Sequence, residues 1–159
     1  MTAAKPTSAL VLAILVSGLI VGAMDGIAAI THAYGLRGTL PSTVFRYVAS
    51  AIFGRDAFTG GGEMVVWGVL CHLTVAMGWT ALYFLLAPQV RLAASHKVLA
   101  GMAYGLFVWV TMNFVVVPMT RVTVGAIRPS VATALMILIH LFVIGVPISL
   151  LAERYYAKG

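Results

Sequence analysis

The chain has 159 residues, 62% of them hydrophobic and only 9% charged, and its mean hydropathy of +1.05 lies far above that of soluble domains. A soluble globular fold is thereby excluded. The net charge of +6 comes from ten Lys and Arg scattered over every tail and loop, which reads as anchoring at a membrane surface and gives no basic block for nucleic acid.

Four uncharged intervals divide the chain, at 6–24, 64–90, 98–120 and 129–152. One crossing takes about 20 apolar residues. The pattern therefore predicts an all-α fold: an antiparallel bundle of four transmembrane helices, about 9–31, 64–87, 98–119 and 130–152, in one integral membrane domain covering 1–159.

In the first span, Lys5 and the apolar run after it have the look of a signal peptide. The run continues past Asp25 to Ile30, longer than a signal core, so an uncleaved span is expected. Gly18, Gly22 and Gly26 recur every fourth residue and form a stripe on which another helix approaches closely. That contact is expected inside the monomer, with a homodimer as the alternative. Asp25 is the only carboxylate within a span, and at the bilayer centre it would cost about 2.5 to 3.5 kcal/mol. At 100° per residue it falls on the glycine face with Ala29 and His32, so it points into the bundle or a dimer contact. Two roles fit it: an anchor bonded to a neighbouring helix, which is the leading expectation, and a proton or cation site.

The first loop carries start signals at Pro41, Ser42 and Thr43 and a stop at Gly54, predicting an amphipathic helix over about 41–54. Thr43, Arg46 and Ser50 share one face, and Val44, Phe45, Val48 and Ile52 the opposite one. Such a helix either lies flat on lipid or packs onto the tops of the spans. Gly60, Gly61 and Gly62 follow as an expected flexible hinge.

The remaining spans supply polar residues. His72 in the second, Asn113 in the third and His140 in the fourth lie, with Asp25, about 9 to 15 Å from the membrane face bearing the first and third loops. These four make up the candidate intramembrane polar site. Two histidines at matching depth also invite a bis-histidine haem reading, and His72, His140 and Asp25 a zinc reading, both as minor alternatives, so no cofactor is expected and the metal is left unknown. His32 and His96, at span ends, are expected to be solvated. Gly101 and Gly105 give the third span a shorter small-residue face, expected to meet the first span. Pro118 and Pro147 each remove a backbone donor and should kink the third and fourth spans. Short links predict that the third span packs beside both the second and the fourth.

Cys71 is the single cysteine, so no disulfide forms within the chain. No Cys-x-x-Cys, phosphate loop, His-Glu-x-x-His or dinucleotide fingerprint occurs. Eight methionines without a Met-x-x-Met cluster fit core filling rather than copper. The positive charges divide five and five between the two sides, and the terminal amine tips both ends towards the cytoplasm.

The segment ending Gly54, Arg55, Asp56, Ala57 and Phe58, a His in the next span, the stretch from Leu99, Ala100 and Gly101 through Tyr104 and Gly105 to Asn113 and Pro118, and a His in the last span together resemble YagU-like bacterial inner-membrane proteins. The resemblance implies a bacterial inner-membrane location and supplies no functional residues. From the residues, the leading expectation is an accessory, structural or stress-related membrane protein without covalent catalysis, because no nucleophile, base and orienter occur together. It would associate with the lipid bilayer and with further copies or a membrane-protein partner. The alternative is a small proton or cation pathway through Asp25, Asn113, His72 and His140; a haem-binding redox protein is third.

Overall fold

Residues 6–89, 96–122 and 128–157 are described by a computed structural model; Lys5, Arg91 and Lys158, counted above for topology, lie outside them. Pro6 precedes the first helix, α1 (Thr7–Arg37), and Gly38 closes it at φ 65, where its N–H and that of Thr39 turn back onto the carbonyls of Tyr34 and Ala33. Glycine adopts this left-handed conformation without steric cost. At 31 residues α1 is longer than the expected 9–31, because nothing between Thr31 and Gly38 forces the backbone to stop. Asp25 therefore stands twelve residues before the last helical residue, Arg37.

The expected amphipathic helix is α2 (Pro41–Phe53), with Pro41 in its first turn and Gly54 at φ 61 ending it. A single turn, α3 (Asp56–Thr59), leads to α4 (Glu63–Leu86). The third span begins as α5 (Lys97–Thr111), widens into a π turn at Met112–Val116 and tightens at Val117–Met119. The fourth runs from α6 (Val131–Ile139) through a second π turn, His140–Gly145, into α7 (Val146–Ala157). Each π turn lies just before a proline, Pro118 or Pro147. A wider turn accommodates the missing N–H that a regular helix cannot satisfy.

Four helices, Thr7–Arg37, Glu63–Leu86, Lys97–Met119 and Val131–Ala157, are long and apolar enough to cross a membrane. Their outer faces expose Leu12, Ile27, Leu99 and Val131 by 62 to 73%, a lipid-facing surface that water would not tolerate at this density. The chain is a multi-pass membrane protein. Among the described residues there is no strand.

Glycines set the order of the spans. A Cβ on Gly18 or Gly22 would lie 3.0 Å from Met77 or Ala76, and one on Gly26 3.3 Å from His72, so the α1 stripe faces α4 within the monomer. The Gly101 and Gly105 face does not meet α1 as expected. It presses on the fourth span, where a Cβ on Gly101 would be 2.7 Å from the Gly145 carbonyl and one on Gly105 would strike that of His140. The fourth span also packs on α1, and Lys97 Nζ donates to Glu153 at 2.8 Å to fasten its end to the start of the third. The ring thus runs second, first, fourth, third. Between second and third the expected helix-on-helix contact is replaced by aromatic side chains: Trp79 meets Phe107 and Tyr83 meets Tyr104 with centroids 5.9 and 4.8 Å apart.

α2 packs chiefly along α4, and its Phe45 backbone lies against Gly68, where any side chain would collide with it. Ala49 and Ser50 are buried while Thr43 and Ile52 are exposed, so the protein-facing side of the helix is the seam between its polar and apolar faces. Arg46 donates to the carbonyls of Ala57, Gly60 and Gly61 at 3.0, 2.6 and 2.9 Å, and Gly61 N donates to Glu63 Oε1 at 2.8 Å. The expected hinge at 60–62 is a fastened turn.

Candidate functional site

Depth and helical phase bring three of the four candidate polar residues together. Asp25 of α1, His72 of α4 and His140 of the fourth span line one cavity of about 80 Å³ at the centre of the bundle. Val108 and Met112 close it from the third span, and Trp79 and Ile144 form part of its wall. Both π turns border it, since Met112 opens one and His140 the other. Wide turns of this kind recur at functional sites because they free backbone groups and re-aim side chains. Asn113 is not among the lining residues: its Nδ2 donates to Trp109 O at 2.8 Å within its own span.

The two imidazoles are fixed by carbonyls, which accept only, so each tautomer follows. His72 Nε2 donates to Gly22 O across the α1–α4 contact at 2.8 Å. His140 Nδ1 donates to Met136 O at 2.8 Å, leaving its Nε2 as the lone-pair nitrogen when the ring is neutral. Phe45 of α2 stands edge-on to the His72 ring with centroids 6.1 Å apart, at an interplanar angle of 71°.

Asp25 differs from both. Its carboxylate Oδ2 lies 3.9 Å from His72 Nε2, beyond hydrogen-bond distance. No hydrogen bond to its carboxylate forms among the described residues, and the side chain is one-fifth exposed. The interhelical bond expected of an Asp25 anchor is made by His72 instead. His32, expected to be solvated, also joins helices, donating from Nε2 to Ala132 O at 3.1 Å.

The cavity has room for a few water molecules and is smaller than the roughly 300 to 1,000 Å³ of small-molecule sites. A tetrapyrrole between His72 and His140 would require the spans to part. Among the described residues no three His, Cys, Asp or Glu side chains form a metal-holding group.

Towards the other face, uncharged polar side chains form two separate hydrogen-bonded links. Tyr83 OH donates to Ser149 Oγ and Ser149 Oγ to Lys97 O, each at 2.8 Å, and Tyr104 OH donates to Trp79 O at 2.6 Å. Helical spacing of Trp79, Tyr83 and Thr80 on one span was the available signal. Pairing them with Tyr104 required the neighbour order.

What the fold and cavity define is a four-helix integral membrane protein with a polar centre of one carboxylate and two imidazoles. The chain matches no known family model, no curated protein and no solved structure at a significant level.

Proposed function

We propose that the protein is a proton-handling membrane protein in which Asp25, flanked by His72 and His140, takes up and releases protons inside the bundle. The observation that supports this reading is a carboxylate facing a cavity with two imidazoles and no hydrogen-bond donor from the described residues. A carboxylate kept only as an anchor would spend its two oxygens on neighbouring helices, since an unsatisfied group within the membrane is costly. A proton suits the site better than a metal cation. Hard cations take about six or more oxygen ligands, whereas the carbonyls of Gly22 and Met136 here already accept from the histidines. The titratable groups facing Asp25 from the other elements are His72 and His140; the third span contributes only Val108 and Met112.

The setting we propose is a bacterial inner membrane with both termini in the cytoplasm. The close glycine contacts favour a second reading, a compact accessory or structural subunit without catalysis. One experiment separates the two. Purified protein in liposomes under a pH gradient is expected to pass protons above the rate of empty vesicles, and Asp25→Asn is expected to remove that excess. Parent protein with no excess flux, or an Asn variant that keeps it, would leave the structural reading in place.

A further inference from the structure

A second cavity, of about 410 Å³, opens at the opposite end of the bundle between the last turns of α4 and α7. Tyr83, Ala87, Ser149, Glu153 and Tyr156 line it. Tyr83 and Ser149 are its deep residues, 7 and 2% exposed, and Glu153 meets Lys97 nearer the surface.

The two cavities come within about one and a half helical turns of each other. On α4, Trp79 lines the first and Tyr83 the second, four residues or about 6 Å apart along the axis. On the fourth span, Ile144 lines the first and Ser149 the second, a rise of about 7.5 Å. Two helices independently give the same thin partition, against a hydrocarbon core about 30 Å thick. Aromatic side chains fill it together with the buried Thr80 and Ile148. Tyr104 is held by its hydroxyl on the Trp79 carbonyl and by its ring edge-to-face on Tyr83, whose hydroxyl is itself fixed on Ser149. This is also the side of the ring where α4 and the third span meet through side chains, so rotation of a ring opens the partition without parting two backbones.

We infer that the two cavities are halves of one transmembrane route, divided by a plug of Trp79, Tyr83 and Tyr104, with Glu153 as the carboxylate at the terminus-side end. That protons are what moves rests on the reading of Asp25 given above; the divided route does not. The groups that exchange protons along it are Asp25, His72 and His140 on one side and Glu153, Lys97 and Tyr156 on the other.

Thiol labelling tests the geometry without any flux. In a Cys71→Ala background, Val108→Cys probes the first cavity and Ala87→Cys the second, using a small membrane-impermeant thiosulfonate on reconstituted protein. Because reactivity follows exposure, Val108→Cys is expected to react about tenfold faster from the α2 face than from the terminus face, and Ala87→Cys with the opposite preference. Tyr104→Ala should raise terminus-face labelling of Val108→Cys by about tenfold, and Tyr83→Ala is the second variant should the first not fold. The inference is overturned if Val108→Cys in the parent reacts equally from both faces or from neither, if Ala87→Cys is closed to the terminus face, or if a folded plug variant leaves the terminus-face rate unchanged. The expected labelling pattern without Asp25-dependent flux would support the divided route and remove the proton reading alone.

Discussion

His72 gives its Nε2 proton to the carbonyl of Gly22 at 2.8 Å, at the level of α1 where Asp25 Oδ2 comes within 3.9 Å of the same nitrogen. One imidazole therefore holds two helices together and borders the carboxylate. His72→Ala should lower stability by about 0.6 to 1.7 kcal/mol, the range of interhelical hydrogen bonds in membrane proteins. Unfolding by SDS titration in mixed micelles measures this, and an unchanged midpoint would show that the bond contributes nothing net.

The same pair explains why Asp25 is expected to tolerate substitution. A neutral side chain at this position strands no donor among the described residues, so both Asp25→Asn and Asp25→Leu should fold and elute like the parent. An Asp25 anchor bonded to a neighbouring helix would instead make Asp25→Leu harm assembly, by leaving its partners unsatisfied. Size-exclusion profiles of the two variants decide between them.

Spans, the loop helix and the common level of Asp25, His72 and His140 were legible because each is a local property: uncharged length, capping residues, and position counted along a helix. Neighbour order was legible only where a short link ties two spans, as between the third and the fourth, since a glycine stripe says that something approaches closely and not what. Gly18, Gly22 and Gly26 found α4, whereas Gly101 and Gly105 found the fourth span and not the first. The π turns before Pro118 and Pro147 were equally hidden. A proline announces a lost donor, but whether the chain answers with a kink or a widened turn depends on neighbours such as Gly145. Asn113 matched the others in depth yet turned to its own carbonyl at Trp109, which depth alone does not reveal.

The two glycine contacts differ in what they face, and that sets an order of sensitivity. At Gly22 a Cβ meets side-chain atoms of Ala76 and Leu73 at 3.0 Å, which shift by a few tenths of an ångström; at Gly145 it meets the backbone carbonyl of Gly101. Gly22→Ala should therefore cost less than about 1 kcal/mol, and Gly145→Ala about 3 kcal/mol or more, because overpacked backbone has nowhere to move. Thermal aggregation curves in mild detergent rank them, and an equal shift for both would contradict the close third–fourth contact.

Arg46 holds the turn before α4 by three carbonyls at once, those of Ala57, Gly60 and Gly61. A guanidinium spreads its donors in a plane, while an ammonium of shorter reach is a single point. Arg46→Lys should therefore keep the charge and still release residues 60–62, where glycine leaves the backbone least restricted. Hydrogen exchange at Gly60 and Gly61 is expected to rise by about tenfold or more in Arg46→Lys, the factor that 1.4 kcal/mol of lost protection gives. Exchange within α4 should be unchanged. Equal exchange in parent and variant at the two glycines would mean that the turn holds without Arg46.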